Sequence, residues 1–572
     1  VSIRPQTGSF ITKSARLALV AICALLLSGK AAQAQSKMKP IAVVAVNSID
    51  SLFQDADFVG GLGGMPAVSA QYQPMLKGFT PGLDHSRPIG LIVQSDGMMP
   101  SGALCLPVTD LKQLLAVLQN FGVTSEEGPD GTLQIGAQGQ TLFAKEVDGW
   151  ALLSMMPQML EGLPANPGEL FSSLTKDYDL GIRVNVQNVP EQFKQMAFSQ
   201  VQAGMEAGMQ KSDEESDEQF EARKEIAKLQ VEQIQQVIQD LNELTFGLSL
   251  DGEKQRAFFD FVYTAVAGSK LAEQAALNSD PKTDYAGFFQ PDAAMMMSFA
   301  SKVGESDVAQ IEQMFGTLTK QVETAIDENA EDASDEEREI IKSAIADFMQ
   351  AFKTTLEAGK MDGGAVLNVS PNSLSFVSGG FIGDPSKIES GLKKLTELAK
   401  EKESKFPGVN WNASNHSDVQ FHTLNIPIPA GGDEDEENAR KLFGETIDLA
   451  VGIGKQSVYF SAGRGCVEAI KGIIDTSAAS PQKSVPPMEM TFALSQIMAT
   501  VQGFADEDER APLEMITGML TNEANGRDHV RIVVQPIPNG ARTRVELEEG
   551  VLRAIGMGAM AAQMQGAGAG GF

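Results

Sequence analysis

Between residues 216 and 244 the apolar positions Ile226, Leu229, Ile234, Val237, Ile238, Leu241 and Leu244 recur with helical spacing, which predicts one long amphipathic helix. After Ser334 the positions Ile341, Ile345, Phe348, Phe352 and Leu356 repeat the pattern. Each stretch opens with a hydroxyl and a long polar side chain three residues on, Ser216 with Gln219 and Ser334 with Glu337. This is the spacing of a capping box, in which the hydroxyl accepts from the third backbone N–H and the long side chain reaches back to the first. The carboxylates crowded beside each cap also sit well against the positive end of a helix dipole.

Around these helices, short alternating stretches predict strands. LGIRVNV (Leu180 to Val186) and AMMMSFA (Ala294 to Ala300) precede a first helix, and the capped helix is followed by a hairpin and a closing helix. The unit reads β-α-α-β-β-α. A third copy near the C-terminus runs from EMTFALSQI through HVRIVVQPIPNGARTRVELEEG, with a hairpin turn at Asn539-Gly540. A looser fourth copy opens with IAVVAVNSIDSLF and has a Gly-rich middle with little helical signal. Strand-rich inserts lie between the N-terminal copy and the one opening at Leu180, and between the one opening at Ala294 and the C-terminal copy, so the chain divides into related halves, 41–278 and 290–565, with a Gly-rich tail at 566–572. The expected fold is α+β: mainly antiparallel sheets covered by helices.

The N-terminus carries Arg4, Lys13 and Arg16 ahead of the apolar run Leu17 to Leu27, with small residues at Ala32 to Ala34; residues 1–34 read as a secretory signal peptide. Nothing after it is apolar over the roughly 20 residues a bilayer demands, so no integral membrane span is expected once it is cleaved. The net charge is −30, and removal of four basic residues with the leader makes the remainder more negative. That argues against nucleic acid and leaves a basic or hydrophobic partner in the envelope as the expectation. Of three cysteines, Cys23 lies in the leader, and Cys105 and Cys466 remain as two small buried thiols or as one long-range disulfide.

Catalytic material is sparse. In HSDVQFH, His416, Asp418 and His422 share parity and would face one side of a regular strand, as a metal site requires. Six strand residues spread the imidazoles about 20 Å apart, too far for one ion unless the segment bends. GGDEDEE (Gly431 to Glu437), with Asp433 and Asp435, comes closest to a calcium loop but lacks its alternation of ligands. No cofactor is expected, with calcium as the alternative. Neither GGLGGMP nor VGIGKQS completes a phosphate-binding fingerprint. The 25 methionines, as in AMMMSF and GMGAMAAQM, read first as core filler and second as the lining of an adaptable apolar groove.

In DGWALLSMMPQMLEGL and KQSVYFSAGRGCVEAIKGI, where a strand runs into a helix, the chain resembles large secreted proteins of unknown function from planctomycete-type bacteria, with duplicated α+β modules. The resemblance implies secretion and duplication and brings no catalytic motif. The expectation is a secreted or periplasmic, non-enzymatic binding or envelope structural protein. A carrier of a hydrophobic ligand, and a hydrolase whose site is assembled from distant residues, are the alternatives. An enzyme requires a cleft of titratable groups, a binding module an apolar groove, and a carrier methionines facing a ligand.

Overall fold

The computed structural model describes residues 39–557, apart from 66, 96–99, 129–130, 138, 165, 212–215, positions scattered through 305–332, 371, 403–405, 430, 432–433, 506 and 524–525. The leader and the tail lie outside the described residues. The chain forms two compact units, one comprising residues up to Phe198 with Leu241–Lys254, the other Ser199–Asp240 with Gln255 onward. The boundary expected between 278 and 290 therefore falls inside the second unit. Asp240 and the segment from 256 to 277 belong there physically: the Asp240 carbonyl accepts from Val266 N–H, and its carboxylate accepts from Leu271 N–H.

Among the described residues of the first unit, nine strands form one antiparallel sheet: β1 (Lys39–Val46), β2 (Ile89–Ser95), β3 (Pro100–Pro107), β4 (Thr124–Glu127), β5 (Leu133–Ala137), β6 (Gln140–Val147), β7 (Trp150–Ser154), β8 (Leu180–Asn185) and β9 (Leu241–Asp251). Their order is β4-β5-β6-β7-β3-β2-β1-β8-β9. Helices α1 (Ile49–Leu62) and α2 (Val68–Phe79) occupy the stretch in which the sequence carried little helical signal. Its glycines lie near the ends of these helices, and the Ser48 hydroxyl caps α1 by accepting from Ser51 N–H. Helix α3 (Leu111–Leu118) packs Leu111, Leu114 and Leu115 against Ile135, Ala144 and Ala151 of the sheet. Near helices α4 (Gln158–Glu161) and α5 (Gly168–Thr175), Trp150 meets Phe171 edge to face. Gly90 is required there, because a Cβ on it would lie 2.2 Å from the Phe171 ring. Helix α6 (Glu191–Gly208) contains the division between the units.

The second unit contains α7 (Asp217–Asp240), β10 (Arg256–Ala265), α8 (Lys270–Leu277), β11 (Lys282–Thr283), β12 (Met295–Lys302), α9 (Asp335–Glu357), β13 (Lys360–Ser370), β14 (Ser373–Phe381), α10 (Pro385–Lys402), β15 (Asn410–His416) and β16 (Val419–Pro427). It continues with α11 (Glu434–Phe443), β17 (Thr446–Ile453), β18 (Ser457–Gly463), α12 (Cys466–Ala478), β19 (Lys483–Ser484), β20 (Met488–Ala493), α13 (Leu494–Gln502), α14 (Glu507–Gly518), β21 (His529–Ile537) and β22 (Gly540–Glu548). The sheet order is β10-β22-β21-β20-β12-β13-β14-β18-β17-β16-β15, antiparallel throughout, and β11 pairs with β19 apart from it.

The Ser334 and Glu337 capping box forms as expected, with both reciprocal hydrogen bonds present. The Gln219 side chain lies outside the described residues. α9 and α10 are joined through Asp347, which accepts from Lys394, Ser390 and Lys387 at 2.6, 2.7 and 3.2 Å. The Asn539-Gly540 turn also stands: Asn539 takes a positive φ of 56°, and Gly540 pairs with Ile537.

Candidate functional site

The two faces of the second unit's sheet differ in chemistry. Residues directly paired across neighbouring strands share a face, so the register traces a row Phe259–Val545–Ile532–Met490–Met297–Ala365 across β10, β22, β21, β20, β12 and β13. A second row beside it runs Phe261–Thr543–Val534–Met488–Phe299–Gly363. A third contains Leu547, Val530, Phe492, Met295, Leu367 and Phe376. Phe259 and Phe261 are 46% and 41% exposed, and the methionines, Val530, Ile532 and Val545 are half-buried. Of the AMMMSF methionines, Met296 is buried on the opposite face, while Met295 and Met297 are half-buried on this one.

On the opposite face the same strands carry charge. Arg531 donates to Glu489 at 2.8 Å and to Glu546 at 3.1 Å, Arg256 donates to Glu546 at 3.0 Å, and Arg544 donates twice to Asp260 at 2.8 Å. Toward β13, β14, β17 and β18 this face becomes apolar and is covered by α12, whose Ile470, Ile473 and Ile474 pack with Val366, Val377, Ala450 and Tyr459.

Where β12 ends and β13 begins, an open cavity of about 1250 Å³ is lined by Lys270, Lys282, Lys302, Lys360 and Met361, among others. Lys360 bridges Asp284 at 2.9 Å and Asp362 at 3.1 Å. Asp362 also accepts from Thr283 Oγ1 and from the Asp284 N–H, at 2.5 and 3.0 Å. Burial opposes both charges, but the two carboxylates hold Lys360 above its ordinary range, and hydrogen bonds from Gln482 and Lys360 hold Asp284 below its own. Both groups are therefore fixed in their charged forms.

The residues singled out by sequence do not converge. HSDVQFH is a hairpin rather than one strand: Ser417 and Asp418 take positive φ values of 51° and 63°, and His416 pairs with Val419. Asp418 lies 3.5 Å from Lys455 at the exposed turn, and His416 contacts Asp475 of α12 at 2.6 Å. His422 is buried, its Nδ1 accepting from Asn412 N–H and its ring edge-on to Trp411; burial lowers its pKa. Asp433 and the side chain of Asp435 lie outside the described residues, and the backbone at Asp435 belongs to α11. Cys105 and Cys466 are free thiols, so the disulfide does not form. Each is held in the apolar interior of its own unit; burial pushes Cys105 up to about 12 and raises Cys466 as well.

Sequence reasoning missed one cluster, at the start of β21. His529 Nδ1 lies 3.1 Å from Glu548 Oε2 and 3.4 Å from Asp528 Oδ1, and Glu548 also accepts from His529 N–H at 2.9 Å. The bond to Glu548 raises the His529 pKa against the opposing effect of burial. A signal was available: counting outward from the Asn539-Gly540 turn places His529 directly opposite Glu548.

No protein-family model matches the chain, and no curated protein or solved structure does so either.

Proposed function

We propose that the chain is a non-enzymatic binding protein of the secreted or periplasmic space, carrying an elongated apolar ligand of the acyl-chain class. The ligand lies on the face formed by β10, β22, β21, β20, β12 and β13. The observation that carries this reading is the six-strand row from Phe259 to Ala365, flanked by two further rows of mainly apolar side chains. Burying a Met or Phe side chain contributes roughly 1.5–3 kcal/mol, and half-buried rows leave much of that for a ligand to recover. Methionine side chains adapt to chains of differing shape. The cavity beside Lys360 does not favour a hydrolase, since its central groups are locked as ions instead of poised to exchange protons.

The reading includes an ancestral duplication. The nine-strand order of the first unit corresponds, position by position, to β15-β16-β17-β18-β14-β13-β12-β20-β21 of the second, which supports two copies of one module. The leader read at residues 1–34 supports the address.

The test is native mass spectrometry on protein purified from its own source, before and after organic extraction, with titration of a fluorescent acyl-chain probe. An extractable mass and probe binding weakened at least tenfold in a Met297→Lys, Met490→Lys double variant are expected. A bare chain that ignores the probe, or a folded variant that binds as tightly as the parent, would overturn the reading.

A further inference from the structure

Asp528, His529 and Glu548 bring two carboxylates and an imidazole together where β21 and β22 meet the N-terminus of α13. We propose that these three side chains form a site for a divalent metal ion of the zinc class. Zinc bonds to nitrogen and oxygen ligands are about 2.0–2.1 Å long, so two ligands of a tetrahedral ion sit roughly 3.3 Å apart. The separations of His529 Nδ1 from Glu548 Oε2 and Asp528 Oδ1, 3.1 and 3.4 Å, match that tetrahedral edge.

The surroundings hold the donors in place. Ser495 N–H donates to Asp528 Oδ2 at 2.6 Å, which turns the other carboxylate oxygen toward the imidazole. The pairing of β21 with β22 fixes Glu548 through His529 N–H. Such outer hydrogen bonds orient metal ligands and set their basicity.

The charge balance favours a dication. Asp528 is 2% exposed, and its ion-pair partner among the described residues is His529 alone. Nearby Arg527 directs its guanidinium to Glu549 and Gln255. Two carboxylates thus face one imidazole. An entering ion replaces the Nδ1 proton, which leaves to solvent, and no electron moves. One imidazole and two carboxylates suit zinc better than calcium or magnesium, which prefer larger all-oxygen shells, and the fourth position stays open to water.

The full chain, stripped with chelator and dialysed, is titrated with Zn²⁺ by calorimetry, and with Co²⁺ to read the visible absorption of a tetrahedral ion. One tight ion per chain is expected, with affinity at least tenfold weaker and the Co²⁺ band lost in His529→Ala and in the milder Glu548→Gln. Circular dichroism confirms that the variants are folded. Absence of a tight site, or a site unchanged in both folded variants, overturns the proposal and leaves adventitious binding to the acidic surface.

Discussion

Replacing Asp347 with Asn should loosen α9 from α10 in a way that depends on pH. The Asp347 side chain is 11% exposed and accepts from Lys394, Ser390 and Lys387. Lys394 is the largest influence, and the donors together hold the carboxyl at about 2 against an ordinary 3.8. At about 1.36 kcal/mol for each tenfold change this amounts to about 2.4 kcal/mol at most. Lys387 and Lys394 are 41% and 35% exposed, and solvent screening brings the expected loss to roughly 1 kcal/mol. Because the folded carboxyl titrates below the unfolded one, its contribution is full above about pH 5 and fades as pH falls from about 4 through 2. Hydrogen exchange on α9 and α10 amides, compared between parent and Asp347→Asn at pH 7 and at the lowest pH where both stay folded, measures the difference. The gap should close in acid. A gap of equal size at both pH values would mean that the substitution acts through packing, and the electrostatic account would fail.

A Cβ at position 540 would lie 1.9 Å from the Tyr263 carbonyl oxygen, so Gly540→Ala should cost about 1–3 kcal/mol by prising β22 from β10; an unchanged urea midpoint would contradict this. Asp55 is held up at about 6, first by burial and then by Asp179, and its buried Oδ2 has no hydrogen-bond partner among the described residues. Its ionisation therefore destabilises the fold as pH rises from about 4 through 6, and Asp55→Asn should raise the thermal midpoint at pH 7.5 but not at pH 4. Cys105 and Cys466 should resist alkylation in the native chain and both react without reductant in denaturant, as mapped by peptide mass spectrometry; a mixed disulfide between their peptides would refute the free-thiol assignment.

The local layer of this fold was legible in the sequence, since periodicity and caps report on neighbours a few residues apart. Ser334 with Glu337, the Asn539-Gly540 turn and the helices α7 and α9 follow from such short-range patterns, although Leu241 and Leu244, expected on the first of these helices, open β9 instead. What lies on which face was not legible: Met297 meets Met490 across strands separated by almost two hundred residues, and no local pattern encodes that pairing. HSDVQFH misled for a related reason. Parity places His416 and His422 together only if the backbone stays extended, and two consecutive left-handed residues turn it back instead. Asp528, His529 and Glu548 stood between these cases, hidden in the sequence yet deducible from the hairpin's own arithmetic.

The ladder of arginines and carboxylates behind the apolar rows bears on how the chain finds its fold. A slip of one residue in β21 or β22 would exchange the two faces, moving Arg531, Arg544 and Glu546 into the company of Met490 and Phe259 and stranding Asp260 without its guanidinium. Long apolar strands alone tolerate such errors, because a Val or a Met fits almost any apolar neighbour. Specific charge partners do not, so the ladder acts as a checksum on strand alignment, rejecting misread pairings before the sheet is complete.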